Sequence, residues 1–229
     1  MPFWQKGEDM AVKERDLLAA IKNFSEKKAA IFDMDGLIFD TERLFMEQLA
    51  IVMKEHGYVL TKKIYCETLG IGGKLLEEIM CSYFGEDYPV SEMGKKVEKR
   101  VRMVADTVGL MIKPQIPEVL QYLQEQGVLC AVASSTNSDA VKHYLGRAGI
   151  LQYFQEIVGG EMVEKSKPEP DIFLLACKRL GQEPEECVVL EDSENGVRAA
   201  KKAGCSVICV PDLKQPSEEA AELADYLVG

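Results

Sequence analysis

Two aspartates stand two residues apart in Asp33-Met34-Asp35-Gly36, and in an extended chain that spacing puts both carboxylates on one side. One carboxylate of such a pair can attack phosphorus and carry an aspartyl-phosphate. The other can protonate the leaving oxygen and later activate water. Further along lie Ser134-Ser135-Thr136-Asn137, then Lys167-Pro168-Glu169-Pro170-Asp171, then Glu191-Asp192-Ser193. A hydroxyl and an ammonium suit the oxygens of a phosphoryl group, where charge develops during transfer. Singly, each segment has a plainer use, because such residues cap helices, make Asp-Gly turns or sit in solvated loops. Their joint use requires that they meet. Four carboxylates that meet repel one another unless a cation holds them ionised. Mg²⁺ fits that need, since it prefers oxygen ligands and takes one or two carboxylates with water and substrate phosphate.

A parallel sheet would bring these segments together. Apolar runs at 28–33, 128–134, 187–191 and 206–210 read as buried strands, with another near 156–158. Amphipathic helices fit 116–126, 139–147, 171–180 and 194–203. Strands alternating with helices predict an α/β fold, a Rossmann-like parallel sheet core covered on both faces. Ligands of such sheets sit at the carboxyl ends of the strands, where all four segments fall.

The stretch from 42 to about 110 has no strand character, and helices fit 43–56, 62–69, 75–84 and 91–107, with Gly70, Gly72 and Gly73 marking a loop. A connection that long is foreign to an ordinary α/β unit. It reads as an inserted helical cap domain at 42–109, between core segments 28–41 and 110–229. Residues 1–27 form an N-terminal helical extension, with a helix at 11–24 that presents Leu17, Ile21 and Phe24 on one face to pack on the flank.

The chain has 229 residues, 47% hydrophobic and 28% charged, which excludes wholesale disorder and collagen-like repeats. With 27 basic against 38 acidic residues the formal charge is −11. Such a surface repels nucleic acid and acidic lipid, so the expected partner is a small-molecule phosphate, with no nucleic acid and no membrane. A metal ion is then the device by which an anionic substrate overcomes the field. Seven cysteines, none paired by a two-residue spacer and most inside apolar runs, predict free thiols in a reducing compartment. No apolar run approaches the ~18 residues of a membrane span, and the first residues lack a signal core. A cytoplasmic protein is expected, with a monomer as the working state.

The four motifs, in this order and on these elements, resemble the haloacid dehalogenase-like superfamily, and the phrase Asp35-Gly36-Leu37-Ile38-Phe39-Asp40-Thr41-Glu42 resembles its helical-cap branch of β-phosphoglucomutase and small-molecule phosphatases. The resemblance implies roles. Asp33 is the nucleophile and a Mg²⁺ ligand, and Asp35 is the general acid/base that also lends its carbonyl to the metal. Ser134, the backbone at Ser135 and Lys167 bind the phosphoryl group. Asp192 binds Mg²⁺ directly, and Glu191 directly or through water. The cap loop 70–74 has glycine, Gly73, at the position of the mutase arginine, with Lys74 one register away, while Phe45 stands at the mutase histidine position. Glu42 resembles the phosphatases, where it could accept from a polyol or ribose hydroxyl; it is equally a first-turn helix acid. The expected activity is Mg²⁺-dependent hydrolysis of a small phosphomonoester, of sugar or nucleotide type, through an aspartyl-phosphate. The alternative is a phosphosugar mutase. A third reading, a binding protein that has lost the reaction, is opposed by the intact Asp33 and Asp35.

Overall fold

The computed structural model describes residues 17–229. Strand β1 (Ala29–Phe32) is central, flanked by β2 (Leu129–Ser134) and β4 (Cys187–Glu191). Outside these lie β3 (Glu156–Gly159), β5 (Ser206–Cys209) and a two-residue β6 (Tyr226–Leu227). The order is β3-β2-β1-β4-β5-β6, and every pairing is parallel. The expected Rossmann-like α/β sheet is therefore present.

Burial follows strand alternation. Along β1, Ala30 and Phe32 face one layer while Ala29 and Ile31 face the other. The first layer holds α1 (Leu17–Lys22), α6 (Ile116–Glu125) and α7 (Ser138–Arg147), which contribute Ile21, Leu120 and Leu145. The second holds α8 (Asp171–Leu180) and α9 (Glu194–Ala203), through Phe173 and Val197. Both α8 and α9 stop at glycines in the left-handed region, Gly181 (φ 67°) and Gly204 (φ 90°), which no Cβ obstructs.

Between β1 and α6 the chain makes four helices, α2 (Thr41–Glu55), α3 (Lys62–Thr68), α4 (Gly73–Phe84) and α5 (Val90–Thr107). They have their own apolar cluster, with Val52, Met53, Met93 and Val97 at its centre. Leu213, in the loop after β5, packs on that cluster from the sheet side. The strands of chain that enter and leave the helices run together, with Asp40 N–H donating to Met111 O and Lys113 N–H to Ile38 O (both 2.9 Å).

One expectation lies partly outside the described residues, and two details depart from the sequence reading. Residues 11–16 of the expected first helix lie outside the described residues, and its described part is the short α1, whose Leu17, Ala20 and Ile21 are buried. Gly73 is not a loop residue but opens α4. Strand β6 and the six-residue helix α10 (Glu218–Leu223) were not anticipated, both being too short to show a period.

Candidate active site

Phe32 ends β1, and the next peptide still pairs, Asp33 N–H donating to Leu190 O at 3.1 Å. The chain then turns sharply. Ile38 and Phe39 N–H both return to Met34 O, and Gly36, at φ 79°, donates to Phe39 O (3.0 Å) and to Thr41 Oγ1 (2.9 Å). This turn leaves Asp33 and Asp35 at the carboxyl edge of the sheet, Asp33 only 6% exposed.

Lys167 reaches the same edge from the loop after β3. Its Nζ lies 2.5 Å from Asp33 Oδ1, 2.6 Å from Glu191 Oε1 and 3.2 Å from Ala133 O, which uses all three donors. Burial works against the charge, but the Asp33 and Glu191 carboxylates outweigh it and hold the ammonium protonated above the ordinary lysine range. Burial pushes Asp33 up to about 7, and Glu191 and Asp35 add to that while Lys167 opposes it.

Glu191 is fully buried at the end of β4. Besides Lys167 on Oε1, its Oε2 accepts from Ser193 N–H and Ser193 Oγ, both at 2.9 Å. Both oxygens are thus occupied by protein donors. The same Ser193 hydroxyl accepts from Gly196 N–H, capping α9.

Asp35 is held by hydroxyls. Its Oδ2 accepts from Thr136 Oγ1 at 2.8 Å and from Ser134 Oγ at 3.4 Å. Burial raises its pKa, opposed by the hydrogen bonds from Thr136, Thr41 and Ser134 and by the charge of Lys167. Ser134 is buried and also accepts from Thr136 N–H (3.0 Å), whereas Ser135 is exposed. The loop after β3 passes close by, since a Cβ on Gly160 would fall 2.4 Å from Ser135 O.

Asp192 completes the edge. Its carboxylate packs so closely on Gly36 that a Cβ there would lie 2.2 Å from Asp192 Oδ2. Burial pushes it well above the usual carboxylate range, with Glu191, Asp33 and Asp212 adding and Lys113 opposing. Asp212 itself pairs with Lys113 at 2.6 Å.

The donor chemistry fits a small, hard dication. Burial, and after it the charges of Glu191 and Asp33, raise the pKa of Asp192, a strain that a cation beside these carboxylates would relieve. Among the described residues no three His, Cys, Asp or Glu side chains form a ready cage.

The cavities show which expected contacts meet. One of about 720 Å³ is lined by Asp35, Glu42, Phe45 and Thr136; another of about 400 Å³ is lined by Glu42, Asp192, Arg198 and Asp212. Glu42 and the loop 69–71 border both. Gly73 and Lys74 border neither, whereas Gly70 and Ile71 of the same loop border both. With Gly73 opening α4, Lys74 falls in the first turn, its side chain 88% exposed and 3.4 Å from Glu78.

The sequence reading did not assign Thr41, Thr136, Lys113 or Asp212. Thr136 lay inside a motif already singled out. Asp212 follows the end of β5, so the rule about strand ends would have reached it.

A family model for haloacid dehalogenase-like hydrolases matches residues 30–210, and the chain belongs to that family. The resemblance drawn from the four motifs is thereby borne out. The phosphorylated carbohydrates phosphatase of Thermotoga maritima is 32% identical over 177 residues, covering 77% of this chain and 82% of that protein. Hexitol phosphatase B of Escherichia coli (strain K12) is 29% identical over 200 residues, 86% of this chain and 89% of its own. The crystal structure of CbbY from Rhodobacter sphaeroides in complex with phosphate superposes with a TM-score of 0.66 at 28% identity, covering 88% and 93% of the two chains. Among the described residues no helix is long and apolar enough to cross a membrane.

Proposed function

We propose that this chain is a Mg²⁺-dependent phosphatase of small phosphomonoesters. The observation that carries the reading is the buried ammonium of Lys167 clamped on Asp33, with Asp35 two residues on and accepting from the hydroxyls of Thr136 and Ser134. Asp33 attacks phosphorus and the ester P–O bond breaks, giving an aspartyl-phosphate and an alkoxide that takes the proton of Asp35. Asp35, now a carboxylate, takes a proton from water as that water attacks the aspartyl-phosphate, and inorganic phosphate leaves. Burial favours the protonated Asp35 and the hydroxyls of Thr136 and Thr41 favour the ionised one, so both states are accessible. Ser134, the Ser135 backbone and Lys167 meet the phosphoryl oxygens. Asp33, Asp192 and the Asp35 carbonyl would hold Mg²⁺, which supplies charge neutralisation at those oxygens. Glu191, with both oxygens engaged, acts by fixing Lys167.

The helices α2–α5 close over this edge as a cap at 42–109, hinged where residues 38–40 pair with 111–113, and shield the reaction from bulk water. The phosphatase names of the Thermotoga and Escherichia relatives support hydrolysis of small phosphorylated carbohydrates or polyols. Lys74 turned to solvent and Phe45 at the cavity wall leave the mutase reading without the basic residues it calls on. Release of phosphate from a metabolite-phosphate panel, dependent on Mg²⁺ and abolished in Asp33→Asn, is the result expected; no turnover on any ester would overturn the reading.

A further inference from the structure

The loop after β2, residues 134–138, is gripped from one side by a turn that belongs to none of the four motifs. Strand β3 ends at Gly159, in register with Ser134 at the end of β2, and the chain continues into Gly160 and Glu161. Three contacts join this turn to the loop. Gly160 N–H donates to Thr136 O at 3.3 Å. The Gly160 backbone lies against the preceding carbonyl, where a Cβ would fall 2.4 Å from Ser135 O and 3.0 Å from Ser135 C. The Glu161 carboxylate reaches the start of α7, both its oxygens 3.1 Å from Ser138 N.

The glycine and the acid serve this contact for different reasons. A Cβ at Gly159 would meet Ser138 N at 2.4 Å and Glu161 Oε2 at 2.3 Å, so a bare backbone is what admits the carboxylate. The acid answers a need of the helix. Ser138 is the first residue of α7, and its N–H has no intrahelical carbonyl to bond. Asn137, the N-cap, gives its side-chain oxygen to Asp139 N–H at 3.0 Å. The Ser138 N–H, on a residue only 5% exposed, goes to Glu161 instead. Gly160 thus holds two consecutive carbonyls and Glu161 holds the residue that follows them. Fixing a carbonyl fixes its peptide plane. The Thr136 N–H in the first of these planes donates to Ser134 Oγ (3.0 Å), and the Thr136 hydroxyl donates to Asp35 (2.8 Å).

We propose that Glu161 is a positioning residue of the reaction, which through Ser138 holds the loop where Ser134 and the Ser135 backbone meet the phosphoryl oxygens and Thr136 meets Asp35. The inference rests on the phosphatase reading and adds to it a side chain that borders neither cavity. Charge on the phosphoryl oxygens grows in the transition state, so a displaced loop loses more there than in the ground state. The effect of Glu161 therefore falls on kcat more than on KM.

Glu161 is exposed, so its variants should fold. Glu161→Ala removes the acceptor, Glu161→Gln keeps one at the same reach, and Glu161→Asp falls one methylene short. Kinetics on an ester that the parent hydrolyses, below every melting temperature, should separate them. In Glu161→Ala and Glu161→Asp, kcat should fall about tenfold with KM within about twofold of the parent. Glu161→Gln should stay within about threefold of the parent in both. A merely structural role would lower the melting temperature and leave kcat standing. Equal kcat in the parent and Glu161→Ala, or Glu161→Gln no better than Glu161→Ala, overturns the inference and leaves hydrolysis intact. Orthovanadate, which adopts the five-coordinate shape of the transition state, gives a readout without turnover. In calorimetric titrations with Mg²⁺ present it should bind Glu161→Ala about tenfold more weakly than the parent, while inorganic phosphate binds both alike. That pattern in a protein that hydrolyses no ester upholds the positioning role, and the phosphatase reading alone falls. Vanadate bound equally by the two proteins, or by neither, overturns the positioning role.

Discussion

Gly196 leaves the space that the Glu191 carboxyl group fills: a Cβ at Gly196 would sit 1.8 Å from Glu191 Cδ and Oε1. The spacing of Glu191-Asp192-Ser193 and the following glycine therefore has a steric cause, in which the first turn of α9 closes on the side chain that precedes it. Gly196→Ala should expel Glu191 from its place between Lys167 and Ser193. Overpacking of this kind costs about 1–3 kcal/mol, and a displacement of ~1 Å in a positioning network can cost on the order of 100-fold in turnover. Denaturant unfolding and steady-state kinetics would check both. A variant as active as the parent would mean that Glu191 does not position the lysine.

Lys167→Met tests the ion triad directly. It removes the one ammonium between Asp33 and Glu191 and leaves two buried carboxylates uncompensated, with relative exposures of 9% and 1% for their side chains. Breaking a buried pair from one side typically costs about 3–5 kcal/mol, against ~0–1 kcal/mol for an exposed one. Unfolding at neutral pH should show the larger loss. The exposed pair Lys74–Glu78 is the control, and Lys74→Met should change stability little.

What the sequence makes legible at this site is whatever a strand end determines. Asp33, Ser134, Glu191 and Asp192 follow from two rules, that apolar runs alternating with helices make a parallel sheet and that its carboxyl edge collects the ligands. Tertiary direction is not legible in that way. Thr136 and Thr41 approach Asp35 from different elements, and Lys113 meets Asp212 across 99 residues, so no local pattern pairs them. The start of α4 is also not legible: it opens at Gly73, two residues before the helix expected at 75–84, which puts Lys74 in its first turn beside Glu78, one helical turn on.

Glu42 gives a stability prediction with a definite sign. Burial raises its pKa above the usual glutamate value, and the Tyr65 hydroxyl, 2.8 Å from Oε2, opposes the shift while Asp212 and Asp35 add to it. A raised folded pKa means that the folded state prefers the protonated acid. Its contribution is full below the unfolded value near 4.3 and is lost as pH rises through the folded value. Glu42→Gln stays neutral and can still accept from Tyr65. It should therefore be more stable than the parent at pH 7–8, with the difference fading towards pH 4. A difference that grew on acidification would reverse the assignment.

Gly36 bears on the metal independently of turnover. Its φ of 79° suits glycine, and a Cβ would fall 2.2 Å from Asp192 Oδ2 and 2.8 Å from Asp192 Cγ. Gly36→Ala should therefore do two things, strain the turn by ~1–2 kcal/mol and push the Asp192 carboxylate out of its position. Gly204→Ala separates them, because Gly204 has a comparable φ of 90° but its Cβ would come no nearer than 3.6 Å to Pro184. Both variants should melt lower than the parent. Only Gly36→Ala should weaken Mg²⁺ binding, by roughly 10- to 100-fold as when a ligand loses its support. Calorimetric titration of Mg²⁺ into the three folded proteins, below the lowest melting temperature, reads this without substrate. Equal affinity in Gly36→Ala and the parent would remove Asp192 from the set of metal ligands, and a matching loss in Gly204→Ala would make the effect one of backbone strain alone.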